Sequence, residues 1–283
     1  MPRLAVLGKP VSHSRSPAMQ NAALAELGLA GEWSYEAIEV APEDFAGLVA
    51  DLARRGDYAG VNVTVPHKLG ALAAADEAHA AARAIGAANT LTFREGSVLA
   101  DNTDAAGILD PLPRSPEGMR ALVMGAGGSA RAAIWGLREA GAEVRVWNRT
   151  PEKGADLARA FGVEAAGGEL DTASFDLIVN ATTVGLQSAN PAAPPEGQPP
   201  VANGFHDLKA LPIEADALHA EQVVVDLVYG SNETQLIAAT RAAGATPVDG
   251  LEVLIMQGVE SLRLWTGSEP PIETMRAAAR GIE

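Results

Sequence analysis

The stretch VMGAGGSAR, Val123–Arg131, runs from an apolar strand through a glycine turn into a helix. Its small residues are spaced Gly125-x-Gly127-x-x-Ala130, and the helical pattern of Ser129–Ala140 follows. Gly125 allows a tight turn, Gly127 lets backbone approach a pyrophosphate, and Ala130 lets the helix lie close on a sheet. The helix start adds amide donors and the positive end of its dipole. The pattern is that of a dinucleotide-binding α/β unit. The alternative is a glycine-rich turn without a ligand.

The next strand, Glu143–Trp147, indicates which dinucleotide. A site selective for NAD usually ends this strand with Asp or Glu, which binds the ribose 2′-hydroxyl. Here the strand ends in Asn148-Arg149-Thr150. An arginine fork with amide and hydroxyl donors suits a 2′-phosphate, and no carboxylate is present to repel it. The expected cofactor is therefore NADP(H). The alternative leaves Arg149 in solvent and Thr150 capping the helix after Pro151.

Outward from this loop, strand-like and helix-like segments alternate, which favours an α/β fold with parallel sheets. Before it, strands are expected at Arg3–Gly8, Trp33–Val40 and Gly60–Pro66. Helices are expected at Pro17–Leu27, capped by Ser16, and at Pro42–Arg55. Lys68–Gly86 reads as helix interrupted near Asp76, and Asn89–Phe93 with Val98–Ala100 as a short hairpin. Prolines 111, 113 and 116 punctuate the chain, and a domain boundary is expected close to residue 105. After it come strands at Ala121–Met124, Glu143–Trp147, Asp176–Asn180 and Val223–Val228, mostly with helices between them. Helices at Leu251–Trp265 and Ile272–Arg280 are expected to return to the first domain. Ser188–Pro212, rich in proline, reads as a long surface loop.

Composition narrows the function. The 283 residues include 36 acidic and 21 basic side chains, a formal charge of −15. That balance argues against nucleic-acid binding, which needs a clustered basic surface. Cysteine is absent, so disulfides, thiolate catalysis and thiolate metal sites are excluded. His13, His67, His79, His206 and His219 show no ligand spacing, so no metal is expected. No apolar run approaches a membrane span, the start of the chain lacks a signal-peptide core, and a cytoplasmic location is expected.

Polar residues cluster where the first domain's strands end or its helices begin. They are Ser14 and Ser16, Asn62 and Thr64 with Lys68, Asn89-Thr90, and Asp101-Asn-Thr-Asp104. Ligands of open α/β sheets lie outside the carboxyl ends of the strands. In GVNVTVPHK, Gly60–Lys68, Asn62 and Thr64 share the face opposite the valines. Taken singly, Ser16 and Asp104 read as helix caps.

Together with the glycine loop, these segments resemble the shikimate dehydrogenase family. GKPVSHSRSP, GVNVTVPHK, GAANTL, DNTDAAG, GAGGSAR, NRT, NATTVGL, DLVY and GLEVLIMQ occur in the family's order and spacing. The resemblance implies an α/β fold of two domains. An open α/β substrate domain would comprise residues 1–104 plus 250–283, and a Rossmann-like NADP-binding domain residues 105–249. It implies reversible NADPH-dependent reduction of 3-dehydroshikimate to shikimate, on the route to aromatic amino acids, by a monomer or homodimer. Ser14 and Ser16 would hold the substrate carboxylate. Asn62, Thr64, Asn89 and Gln257 would bind ring hydroxyls or the carboxylate, with Tyr229 at the carboxylate end. Lys68 and Asp104 would be the catalytic pair and would also bind hydroxyls. Gly125, Ala126, Gly127, Gly128, Ser129, Asn148, Arg149, Thr150, Thr182, Leu227 and Gly250 would line the cofactor. Gln20 stands where the family often has His.

The residue types suit this chemistry on their own terms. A polyhydroxylated ring needs paired donors and acceptors, which amides and carboxylates supply. Reduction of a ketone leaves an oxygen that must gain a proton, and a lysine ammonium beside it supplies charge and proton. Two rivals remain: a relative with quinate or relaxed cofactor use, and a catalytically silent NADP-binding regulator. Arg149 and the Ser14/Ser16 pair speak against the first, and Lys68 with Asp104 against the second.

Overall fold

The computed structural model describes residues 2–167, 170–185, 208–230 and 232–282. The chain divides into two compact units, Met1–Pro111 with Glu252–Glu283, and Leu112–Leu251. The chain thus changes units at residue 112 rather than near 105, because Asp104–Leu109 is a helix of the first unit.

The first unit is built on six strands: β1 (Arg3–Gly8), β2 (Ser34–Glu39), β3 (Tyr58–Val63), β4 (Glu77–Ala78), β5 (Thr90–Arg94) and β6 (Ser97–Asp101). Their order is β2-β1-β3-β5-β6-β4. β1 pairs in parallel with β2 and β3, whereas β5 runs antiparallel to both β3 and β6. The sheet is therefore mixed, since the hairpin joins it without a crossover. Its helices are α1 (Ser16–Glu26), α2 (Phe45–Arg55), α3 (Lys68–Ala73), α4 (Ala80–Ile85) and α5 (Asp104–Leu109).

Alternation along β1 supplies two cores. Ala5 and Leu7 join Phe45, Val49 and Leu52 of α2 with Val61 and Val63 of β3. Leu4 and Val6 join Met19 and Leu24 of α1 on the other face. That second core also takes Ile255, Val259 and Leu262 from α9 (Gly250–Thr266) and Met275 from α10 (Ile272–Arg280). Residues Glu252–Glu283, with most of α9 and all of α10, thus belong to the first unit.

Several local expectations change. α1 begins at Ser16 itself, and Arg15 occupies the cap position. Ser16 is therefore the first helical residue rather than the cap, and its N–H bonds the Ser14 Oγ at 3.2 Å. α2 starts three residues late, after a turn closed by Asp44 N–H on the Ala41 carbonyl at 3.1 Å. β3 ends at Val63, whose N–H bonds the Asn89 carbonyl at 2.7 Å, and the Thr64 N–H makes the last bond to β1 at the Leu7 carbonyl. The interruption near Asp76 contains β4. There the Asp76 carboxylate accepts the Val98 N–H at 2.8 Å and steers the chain along β6.

The second unit holds β7 (Arg120–Met124), β8 (Glu143–Trp147), β9 (Glu164–Ala165), β10 (Leu177–Asn180), β11 (Val223–Asp226) and β12 (Thr246–Val248). All pairings are parallel, in the order β12-β11-β10-β7-β8-β9. Read by chain order from the far edge, this is the 3-2-1-4-5-6 order of a Rossmann sheet. Its helices are α6 (Gly128–Glu139), α7 (Pro151–Phe161) and α8 (Gln235–Ala242). Thr150 occupies the cap position of α7, yet its side chain makes no capping bond. Ser188–His206 and Asp207, most of the expected proline-rich loop, lie outside the described residues. Among the described residues no helix is long and apolar enough to cross a membrane.

Candidate active site

In the first unit, four chain segments bring a lysine, a carboxylate and two amides into one hydrogen-bonded cluster. Lys68 opens α3 just after the turn that ends β3, and Asp104 opens α5 just after β6. The Lys68 Nζ donates to Asp104 Oδ2 at 2.6 Å, with side chains only 14% and 9% exposed. Asp104 Oδ1 accepts from Asn89 Nδ2 at 2.9 Å, so both carboxylate oxygens are directed. The Asn102 Oδ1 accepts the Asp104 N–H at 3.0 Å and holds the start of α5.

Asn89 is the centre of this cluster. Its Nδ2 lies 2.9 Å from Thr103 Oγ1 and 3.2 Å from Gln257 Oε1, besides Asp104. Its Oδ1 accepts the Thr103 N–H at 2.8 Å and the Thr90 hydroxyl at 3.1 Å. Gln257 reaches this point because α9 passes close to α5. A Cβ on Gly107 would fall 2.8 Å from the Gln257 Cβ, so only glycine permits the approach.

Asn62 is turned inward from β3, 4% exposed. Its Oδ1 accepts from the Tyr35 hydroxyl at 2.7 Å and from Ser261 Oγ at 3.5 Å. Its Nδ2 donates to Thr90 Oγ1 at 3.1 Å and the Asn89 carbonyl at 3.3 Å. Ser261 Oγ lies nearer the Gln257 and Gly258 carbonyls, at 3.1 and 3.2 Å, and its single hydrogen serves one acceptor at a time. Thr64, Ser14 and Ser16 have no hydrogen bond to the Asn89 cluster among those described. Ser14 and Thr64 are half-buried and Ser16 is buried. His67, beside Lys68, is a core residue that stacks on Phe45 at 4.5 Å and bonds the Val40 carbonyl at 3.0 Å.

In the second unit the glycine loop adopts its expected form. Gly125 has φ +121°, and a Cβ on it would lie 2.7 Å from the Ala181 carbonyl oxygen. Gly127 is exposed, and a Cβ there would meet nothing within 4 Å. No side chain caps α6, which begins at Gly128 and Ser129, and Ala126 is half-buried. Across the β8 end, Asn148 Nδ2 donates to the Thr150 carbonyl at 2.9 Å, while Arg149 and Thr150 are exposed. Open space at Gly127, an uncapped helix start and an exposed guanidinium fit a dinucleotide with a 2′-phosphate.

Thr182, Leu227 and Tyr229 follow the neighbouring ends of β10 and β11, and Gly250 opens α9. Thr182 Oγ1 donates to Asn180 Oδ1 at 2.7 Å. Asn180 in turn donates to the buried Asp226 carboxylate at 2.9 Å. Desolvation pushes the Asp226 carboxyl up to about 6 despite its hydrogen bonds from Thr234, Val228 and Asn180. Sequence reading missed Asn180, Asp226, Thr103 and Tyr35. The first three lie inside NATTVGL, DLVY and DNTDAAG, so their segments were marked while their roles were not. Nothing in the sequence marked Tyr35.

Comparison with known proteins follows this geometry closely. Residues 6–91 match the family model described as shikimate dehydrogenase substrate binding domain. Residues 250–280 match the shikimate 5'-dehydrogenase C-terminal domain. A shikimate dehydrogenase (NADP(+)) of Methanothermobacter thermautotrophicus is 38% identical over 98% of this chain and 95% of the relative. One from Thermus thermophilus is 42% identical over 99% and 98%. The chain belongs to the shikimate dehydrogenase family. Among solved structures, shikimate 5-dehydrogenase from Thermus thermophilus, in complex with NADP(H) and shikimate, is similar with a TM-score of 0.83. It is 41% identical and the match covers 99% of each chain. Shikimate dehydrogenase membership accounts for the coexistence of a mixed-sheet unit and a Rossmann unit in one chain.

Proposed function

We propose that this protein catalyses the reversible NADPH-dependent reduction of 3-dehydroshikimate to shikimate in aromatic amino acid biosynthesis. The observation that carries the reading is the buried Lys68–Asp104 pair, joined through Asn89 to Gln257. NADP(H), when bound, supplies or accepts the hydride. Gly125–Ser129 would hold its pyrophosphate, and Asn148, Arg149 and Thr150 its 2′-phosphate. Thr182, Leu227 and Gly250 would line the rest of its site.

The remaining chemistry is proton transfer and orientation by the chain's own residues. As the substrate ketone is reduced, its oxygen gains negative charge, and the Lys68 ammonium stabilises it and donates a proton. Asp104 aims the ammonium and binds a hydroxyl of the ring. In the reverse direction the neutral Lys68 amine takes the hydroxyl proton. Asn89 and Gln257 bind ring hydroxyls, while Ser14, Ser16 and Thr64 bind the carboxylate and its neighbours. Asn62, which also holds Thr90 and the Asn89 carbonyl, would join them in binding ring hydroxyls or the carboxylate. The reading includes a cytoplasmic location and a monomer or homodimer.

The test is the purified protein with shikimate or quinate and with NADP or NAD, followed by reduced-cofactor absorbance. Turnover is expected with shikimate and NADP. Preference for quinate would favour the relaxed relative, and silence in all four pairings the regulator. Arg149→Ala is expected to lower the NADPH-over-NADH preference by about tenfold or more, the worth of a charge-assisted phosphate contact. An unchanged preference would remove Arg149 from the site.

A further inference from the structure

We infer that Asp226, acting through Asn180, is the positioning residue for the Thr182 turn on the cofactor side of the second unit. The inference rests on the cofactor role proposed above for Thr182. Asn180 and Asp226 are paired residues at the carboxyl ends of adjacent strands β10 and β11. They are 0% and 1% exposed.

Each bond in the chain constrains the next. Asp226 Oδ1 accepts from Asn180 Nδ2 at 2.9 Å and from the Val228 N–H at 3.1 Å. Asp226 Oδ2 accepts from the Thr234 hydroxyl at 2.6 Å, and Thr234 also caps α8 by accepting the Ile237 N–H. The Asn180 Nδ2 also donates to the Val184 carbonyl at 3.3 Å. The Asn180 oxygen is thereby turned towards Thr182, accepting its N–H at 3.1 Å and its hydroxyl at 2.7 Å. The Thr182 Oγ1 finally accepts the Val184 N–H at 3.0 Å, closing the turn.

A reversed Asn180 amide would set its oxygen against the Asp226 carboxylate and its NH2 against the Thr182 N–H. An ionised carboxylate is purely an acceptor, so it selects one of the two amide orientations. Burial opposes that ionised form, so the carboxylate is costly at this position. A simple staple between β11 and α8 would need only the Thr234 bond. The additional bond to Asn180 carries the constraint from β11 into the turn that follows β10. This is preorganisation of a binding turn by groups that do not themselves touch the ligand.

A double-mutant cycle tests it, with NADPH and shikimate dissociation constants measured separately on Asn180→Ala, Asp226→Ala and the double variant. Each single change is expected to weaken NADPH about tenfold, and the double variant no further, because the residues act in series. Shikimate affinity is expected to stay within about twofold in all three. Additive losses, an unchanged NADPH constant in a cooperatively melting variant, or an equal loss for shikimate would overturn the inference. Should Asp226→Ala not fold, Asp226→Asn decides, since its amide can keep an oxygen on Asn180 while donating to Thr234. Wild-type NADPH affinity within about twofold is expected there, and a loss of about tenfold overturns the inference. A wild-type protein that fails to bind NADPH at all would instead sink the cofactor reading itself.

Discussion

Replacing Lys68 with methionine separates catalysis from stability at the site. The stem of the side chain is kept and the ammonium is lost, leaving the Asp104 carboxylate at 9% exposure without its cation. The exposure decides which regime applies. A solvent-exposed pair contributes about 0–1 kcal/mol, whereas removing one partner of a buried pair costs about 3–5 kcal/mol. Asp104 retains the Asn89 amide on Oδ1, which compensates part of the lost charge and places the expected cost near the lower bound, about 3 kcal/mol. Neutralising the second partner, in Lys68→Met/Asp104→Asn, removes the stranded charge and keeps an acceptor for Asn89. Most of the stability is expected to return, because a buried pair and its neutral replacement are often nearly equal in energy. Activity is not expected to return: loss of the proton donor lowers kcat by about 10²–10⁴ in both variants. Denaturant midpoints report the stability, and initial rates with saturating shikimate and NADP report kcat. If Lys68→Met lost less than about tenfold in kcat, or raised only KM, the lysine would be a binding residue and the proton-transfer argument would fail.

Two further changes probe the second unit. Gly125→Ala places a Cβ against the Ala181 carbonyl at φ +121° and is expected to destabilise by about 2–3 kcal/mol. Gly127→Ala, with open space and φ −88°, is expected to change stability by less than about 0.5 kcal/mol yet to weaken NADPH. Equal melting of the two variants would contradict this. Asp226 gives a pH signature. Its folded carboxyl lies at about 6, above its ordinary 3.8, so the folded state holds the proton more tightly and stability falls as pH rises through that window. Asp226→Asn is therefore expected to gain on wild type by up to about 3 kcal/mol between about pH 4 and about pH 7. A stability difference that stayed flat across that range would refute the assignment.

The chain's own pattern determined its local elements where periodicity and punctuation agreed. Arg3–Gly8, Glu143–Trp147 and Ile272–Arg280 have the bounds read from sequence, because apolar alternation and helical spacing are properties of neighbouring residues. The glycine loop was legible for the same reason: the demand for φ +121° at Gly125 is local. Boundaries moved where a distant partner claimed a backbone group. The Val98 N–H is taken by the Asp76 carboxylate, and the expected interruption near Asp76 becomes β4 along β6.

Site legibility divides along the same line. Lys68, Asp104, Asn89 and Gln257 are marked by residue type and motif, but their convergence on one amide comes from the packing of α5 and α9 across Gly107. Asn62 is marked in sequence as a polar residue of an apolar strand, and only packing sets it against Tyr35 and Thr90. Asp226 looks like one of many acidic residues, and only the parallel pairing of β10 with β11 sets it against Asn180. Sequence by itself therefore determined most elements, the glycine loop and the polar segments of the candidate site, each written within a few neighbouring residues. Tertiary structure decided which of these polar side chains meet. A hydrogen-bond partner is set by packing, and for Asn89 it stands 168 residues away in Gln257.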